Sequence, residues 1–210
     1  MKKAVFLSAS LPDPTKSHFI APSEATDIIS AVRALVYVVL GRRPLIWGGH
    51  PAITPMVWSM AESMKVEYRD WVTLYQSQYF KDRYPEENKR FGNTHYIPAA
   101  PAALKQSEEQ RLKLSLHSMR SCMFSENTFE TTIFIGGMRG VVDEFDMIGE
   151  LCPGAQRIPV LSTGGATKLL SEKLNSTDLD LDRLKRDIDY VPLFYDLCGI
   201  TPAEQRGSLI

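Results

Sequence analysis

The stretch Thr131-Thr132-Ile133-Phe134-Ile135-Gly136-Gly137-Met138-Arg139-Gly140-Val141-Val142-Asp143-Glu144-Phe145 decides the fold of this chain. An apolar, β-branched run empties into glycines and then into a segment with acidic residues near its start. That order reads as a buried strand, a tight turn and the first turn of a helix. A corner of this kind binds anions. Glycine lets the backbone N–H groups approach, because a Cβ would hold them off, and it accepts the positive φ such a turn visits. Glu144 follows Gly140 by about one helical turn, where its carboxylate can face the same ligand.

The same pattern of a short apolar run followed by small residues recurs outward from this corner. Residues 4–7 precede Ser8-Ala9-Ser10, residues 44–47 precede Gly48-Gly49-His50, and residues 71–74 precede Tyr75-Gln76-Ser77. Residues 157–161 precede Ser162-Thr163-Gly164-Gly165. Helical periodicity fills the intervals, over residues 24–40, 54–65, 108–124, 141–151 and 166–174. Strands alternating with helices imply βαβ units and a mostly parallel sheet. Right-handed crossovers then bring every strand C-terminus, and every small-residue loop, to one rim.

Residues 78–106 break the pattern with Pro85, Pro98, Pro101 and the run Glu86-Glu87-Asn88-Lys89-Arg90. They read as a surface excursion holding one helix and a short strand around residues 95–97, a candidate flap over the rim. Further on, Thr177-Asp178 reads as a helix cap, and Leu181, Leu184 and Ile188 stand at helical spacing. Residues 191–200 are a final apolar piece that packs either on the same domain or on a second subunit.

Composition excludes several classes. With 210 residues, 44% hydrophobic and 23% charged, the chain supports one substantial core, and one domain is expected. Lys+Arg 24 against Asp+Glu 25 leaves a net charge of -1, and no basic cluster is interleaved with aromatics, so no nucleic-acid partner is expected. The longest apolar stretch, residues 31–40, is interrupted by Arg33 and falls short of the roughly 18 residues of a membrane span. No membrane partner is expected. The apolar run after Lys2-Lys3 stops at Ser8, too soon for a secretory signal, which points to a first strand and a cytoplasmic protein.

Cys122, Cys152 and Cys198 lack a C-x-x-C spacing and read as reduced, structural thiols. His18, His50, His95 and His117 are scattered, so no metal is expected. Neither a G-x-S-x-G elbow nor a G-x-x-x-x-G-K-[ST] loop occurs. Lys168 reads as a helix-surface lysine rather than a Schiff-base former, and no cofactor is expected.

Taken in order, Ser8-Ala9-Ser10, Trp47-Gly48-Gly49-His50 and the glycine corner at residues 136–144 resemble the SLOG superfamily. That group includes the LOG phosphoribohydrolases, which release cytokinin bases, and nucleotide-sensing domains of bacterial defence systems. The resemblance covers residues 3–174. Its most specific part is the LOG pattern in which a Met-x-x-Arg-Lys helix precedes Pro-Gly-Gly-x-Gly-Thr-x-x-Glu. Here Arg120 lies 16 residues before Gly136, the family's own interval. By the resemblance Arg120 matches the first site arginine, Gly136, Gly137 and Gly140 match the glycines, and Glu144 matches the terminal glutamate. The departures are Ser121 for the lysine, Glu126 for a second arginine, Ile135 for the proline, Arg139 as an insertion and Val141 for the threonine.

The resemblance implies an α/β fold, a Rossmann-like three-layer sandwich with a mostly parallel central sheet. It implies one domain over residues 1–210, with a core at 3–174 and a helical C-terminal extension at 175–210. It also implies a homodimer, with the helix at 108–124 or the C-terminal segment supplying the apolar face. The small-molecule ligand it implies is a nucleotide or a nucleotide-derived compound: a nucleoside monophosphate, an NAD-derived signal or an ADP-ribose-like species.

Two functions remain open at this point: a binding or sensor protein, and a nucleoside 5′-monophosphate N-glycosidase with Glu144 and Arg120 as catalytic residues. N-glycoside cleavage passes through an oxocarbenium-like sugar, which a nearby carboxylate stabilises or supplies with an oriented water. The expected ligand contacts are Ser8, Ser10, Gly48, Gly49, His50, Gly136, Gly137, Met138, Arg139, Gly140, Ser162, Thr163 and Gly164. Each has a plain structural account as well. A serine after a strand caps or turns the chain, a glutamate in a first helical turn suits the helix dipole, and Arg139, a cation there, either points to solvent or answers a bound anion.

Overall fold

The computed structural model describes residues 3–13, 25–64, 67, 71–102, 107–174 and 179–207. The expected ends at Glu24 and Lys65, the Thr177-Asp178 cap and His18 lie outside the described residues. Strand β1 (Ala4–Ser10) is followed by α1 (Ala25–Val39), β2 (Leu45–Trp47), α2 (Thr54–Ser63) and β3 (Val72–Ser77). Two 3-10 turns, Gln78–Arg83 and Glu86–Arg90, lead into β4 (Asn93–Ile97). The remainder is α3 (Glu108–Glu126), β5 (Phe129–Gly136), α4 (Arg139–Leu151), β6 (Gln156–Val160), α5 (Thr167–Leu170), α6 (Leu181–Arg186) and α7 (Tyr190–Leu197).

The strands form a six-stranded sheet in the order β4-β3-β2-β1-β5-β6, and every pairing is parallel. β1 and β5 are central, and their registers bring Ser8 beside Phe134 and Ser10 beside Gly136. A parallel strand covered on both faces must be apolar throughout. β5 follows that rule from Thr131 to Gly136, where even Thr131 and Thr132 are buried, and exposes Glu130 near its start. Helices α1, α2, α6 and α7 share one buried cluster with Val5, Leu7, Leu45 and Ile133. Helices α3, α4 and α5 share the other with Phe6, Ile46 and Phe134. This is the three-layer, Rossmann-like α/β sandwich.

The chain runs outward from β1 through β2, β3 and β4, then returns to the other side of β1 for β5 and β6. The direction reverses between β1 and β5, and at such a switch point the loops diverge and leave a crevice. α4 opens directly from β5 into that crevice.

Several elements differ from the sequence expectation for local reasons. β3 continues through Tyr75, Gln76 and Ser77, because the edge strand β4 pairs with it out to Ser77↔Ile97. The excursion at residues 78–90 forms two 3-10 turns instead of one helix. Residues 166–174 form one turn of α-helix and then the 3-10 turn Ser171–Lys173. α6 stops at Arg186, because the Asp187 carboxylate accepts from the Asp189 N–H and turns the chain, and Ile188 is left exposed. The final apolar piece packs on its own chain, burying Leu193, Phe194, Cys198 and Ile200 in the cluster with α1. Arg42 fastens the following segment: its guanidinium donates to Val38 O at 2.8 Å and to Glu204 O at 2.7 Å.

Among the described residues no helix is long and apolar enough to cross a membrane. Cys122, Cys152 and Cys198 are free thiols.

Candidate functional site

The crevice at the switch point is a cleft of about 440 Å³. That lies within the range of roughly 300–1,000 Å³ usual for small-ligand sites. β1 ends on it with Ser8 and Ser10, β2 with Trp47, Gly48, Gly49 and His50, and β3 with Gln76 and Ser77. α4 contributes Met138, Gly140, Val141 and Glu144, and α3 contributes Leu112, Leu116, Met119 and Arg120. Phe80, Arg83 and Tyr84 close the far side.

Glu144 anchors the polar part. Its side chain is 13% exposed, and Arg120, 9% exposed, donates from Nε to Oε1 at 3.0 Å. The Ser8 hydroxyl donates to Oε2 at 2.5 Å. Arg120 also reaches Gly140 O from Nη2 at 3.3 Å and lies 3.6 Å from the Asp143 carboxylate. The guanidinium is therefore committed to the carboxylates of α4 and acts as the counter-ion of Glu144. Ser8, 2% exposed, holds that carboxylate instead of presenting a free hydroxyl.

Glycine keeps the polar part open. A Cβ on Gly48 would stand 3.2 Å from Met119 Cε and 3.9 Å from Glu144 Oε1, so glycine here leaves the approach to the carboxylate clear. Gly49 has φ +65°, and its Cβ would meet Leu74 Cδ1 at 2.8 Å and collide with the Gln76 amide. That amide donates to Gly48 O at 2.8 Å and fixes the turn. His50 Nδ1 accepts from Ala52 N at 3.2 Å, which leaves Nε2 as the protonated nitrogen of the neutral ring. Burial lowers the His50 pKa and favours that neutral form. α4 begins at Met138 without a side-chain cap, so its first N–H groups lack the partner a cap would supply.

Not every residue expected at the site lines the cleft. Ser8, Ser10, Gly48, Gly49, His50, Met138, Gly140, Arg120 and Glu144 do. Gly136, Gly137, Arg139, Ser162, Thr163 and Gly164 do not. Gly136 N donates to Thr163 Oγ1 at 2.8 Å, and Thr163 Oγ1 donates to Val160 O at 2.6 Å. Thr163 thus braces the glycine turn from behind. Ala166 N donates to Gly137 O at 2.9 Å, and a Cβ on Gly165 would lie 2.8 Å from that same oxygen. The second glycine pair is there because the backbone of the first rests on it. Ser162 donates to the Tyr190 hydroxyl at 3.3 Å. Arg139, 79% exposed, pairs with Asp143 at 3.0 Å one turn along α4.

Glu126, at the position of the family's second arginine, does not line the cleft. Its carboxylate accepts from the Tyr75 hydroxyl at 2.8 Å and from the Cys122 thiol at 3.0 Å. Those bonds, Cys122 first, hold its pKa below the usual range.

Sequence reasoning put Gln76 at a rim loop without naming it as a ligand contact, assigned Phe80 to packing, and passed over Arg83 and Tyr84, all four of which line the cleft. A strand followed by aromatic and basic residues within a few positions was the available signal, and the prolines around it read as an irregular excursion.

Comparisons with known proteins place this geometry in context. The family model described as the SLOG cluster3 family matches residues 18–198. An X-ray structure of TM1055, a Northeast Structural Genomics Consortium target, is similar at 17% sequence identity over 93% of this chain and 99% of that chain, with a TM-score of 0.46. No curated protein matches the chain.

Proposed function

We propose that this chain, which belongs to the SLOG cluster3 family, binds a nucleotide or nucleotide-derived molecule in the cleft at the C-terminal ends of its strands. One observation carries the reading: Glu144 stands on the wall of that cleft with Arg120 and Ser8 at its two oxygens. A carboxylate fixed at both oxygens keeps spare lone pairs in one orientation, suited to accepting from the hydroxyls of a sugar. The uncapped start of α4 and the donor face of His50 supply N–H groups for an anion or a base. The family of nucleotide-related Rossmann-like proteins supplies the ligand class.

A second reading rests on the same carboxylate. Glu144 can orient a water toward C1′ of a nucleoside 5′-monophosphate: the C1′–N bond breaks, the C1′–O bond forms, and the water's protons end on the sugar hydroxyl and the departing base. Ribose 5-phosphate and free base are the products. The cleft carries Arg120 but neither the lysine nor the second arginine of the LOG pattern, since Ser121 and Glu126 stand in their places, which favours binding over hydrolysis.

Incubating the purified protein with AMP, a cytokinin monophosphate, NAD and ADP-ribose, followed by chromatography and thermal-shift measurement, separates the two. A raised unfolding temperature with intact ligand is the expected result. Free base that disappears in Glu144→Gln identifies the hydrolase instead, and neither effect with any compound refutes both readings.

A further inference from the structure

The nucleotide reading leaves the far side of the cleft without a role, and the residues there suggest one. β3 lies two places from β1 in the sheet, about 10 Å at the usual interstrand spacing. The 3-10 turn Gln78–Arg83 that follows β3 rests on the first turn of α3 at Glu108, twelve residues or about 18 Å along that helix from Arg120, and so lines the cleft away from the Ser8–Glu144 contact. This turn is braced on both sides. The Tyr84 hydroxyl donates to Ser77 O at 2.8 Å, the Tyr79 hydroxyl to Glu108 at 3.0 Å, and Arg111 lies over the Tyr79 ring at 5.4 Å.

Charge accounting singles out the last residue of the turn. Arg120 is paired with Glu144 and Asp143, and Arg139 with Asp143. Arg83 lines the cleft and is exposed, and no ion pair or ring contact joins it to another described residue. Its neighbour Tyr84 adds no opposing charge, because burial pushes that phenol up to about 12. A guanidinium without an ion-pair partner among the described residues, on a braced wall, is suited to a phosphate, to which its planar fork can donate two parallel N–H bonds.

We infer that Arg83 pairs with a phosphate group of the ligand, at the end of the cleft remote from Glu144. The ligand is then a phosphorylated nucleotide whose sugar and phosphate are read by different walls. This rests on the nucleotide reading but can fail separately from it.

The test is calorimetric titration of the unaltered protein, Arg83→Ala and Arg83→Lys with the nucleoside, 5′-monophosphate and 5′-diphosphate of each common base. In the unaltered protein at least one phosphorylated form binds about tenfold or more tighter than its nucleoside. Arg83→Ala abolishes most of that preference while leaving nucleoside affinity and thermal unfolding unchanged, and Arg83→Lys restores part of it. The preference also weakens as salt is raised, since the residue is exposed. A phosphate preference that survives in Arg83→Ala, or no preference in the unaltered protein, overturns the assignment of Arg83 and leaves the cleft reading standing. Binding of none of the compounds by the unaltered protein overturns both.

Discussion

Arg120→Met tests the ion pair at the centre of the cleft. Both partners are largely buried, at 9% and 13% side-chain exposure. Removing one member of a buried pair leaves an uncompensated charge, which costs about 3–5 kcal/mol. Glu144 keeps the Ser8 hydroxyl on Oε2, and this compensation places the expected cost near the lower bound, about 3 kcal/mol. For a chain of this length that corresponds to a fall of about 6–12 °C in Tm. Glu144→Gln costs less, about 2 kcal/mol, because the freed guanidinium retains Gly140 O and Asp143. The double variant Arg120→Met/Glu144→Gln removes both charges, so it loses about 2 kcal/mol less than the sum of the two single changes. Urea unfolding at 25 °C followed by far-ultraviolet circular dichroism, with all four proteins at one pH, measures the cycle. If Arg120→Met lies within about 1 kcal/mol of the unaltered protein, or the two costs add to within about 0.5 kcal/mol, the pair is not the anchor of the site.

Gly165→Ala introduces a Cβ at φ +61° that would stand 2.8 Å from Gly137 O and 3.0 Å from Gly136 C. Backbone cannot swing aside as a side chain can, so a loss of about 2–4 kcal/mol is expected by thermal unfolding, and near-normal stability would contradict the contact between the two glycine turns. His50 contributes a pH dependence. It stays neutral in the folded protein because burial lowers its pKa, while the unfolded chain takes up a proton near pH 6.5. The unfolded state then binds more protons, so this part of the stability is present above pH 6.5 and is lost as the pH falls through that value toward the lowered folded pKa. In His50→Gln the urea midpoint should decline less between pH 7.5 and 5, and equal declines in the two proteins would remove burial of His50 as a cause.

The parts of the fold legible in the sequence are those where local and tertiary demands agree. β5 must be apolar on both faces, and residues 131–135 are β-branched or aromatic and wholly buried. α3 begins where Ser107 and Gln110 form a reciprocal capping box, which fixes its first residue at Glu108. The strand–glycine–helix corner at Gly136–Glu144 is visible because its turn chemistry lies in consecutive residues. Where partners are distant the reading stops short. β4 is a polar edge strand, Asn93-Thr94-His95-Tyr96-Ile97, and the extension of β3 depends on it. Gly164 and Gly165 look like a second phosphate corner, because a glycine needed for close backbone contact is indistinguishable in sequence from one needed for a ligand. Arg120 and Glu144 were matched through the family pattern and Ser8 was expected at the rim as a ligand contact, but its bond to the second Glu144 oxygen was not legible, since that contact spans 136 residues.

Ser8 also bears on the choice between the two proposed readings of this site. Each oxygen of an ionised carboxylate has two acceptor directions, and here the Arg120 and Ser8 contacts occupy one direction on each oxygen. The two that remain are fixed in direction by those contacts, whichever ligand arrives. A sugar that fills both with its own hydroxyls leaves no acceptor to orient a water, and the carboxylate then serves as a clamp. A sugar that fills one leaves the other for water beside C1′, which is the arrangement hydrolysis needs. Hence the number of sugar hydroxyls that reach Glu144 separates a sensor from a hydrolase built on the same three side chains, and comparing ribosyl with 2′-deoxyribosyl ligands addresses it directly: a deoxy compound that binds more weakly yet is cleaved faster would place the displaced hydroxyl on the oxygen a water requires.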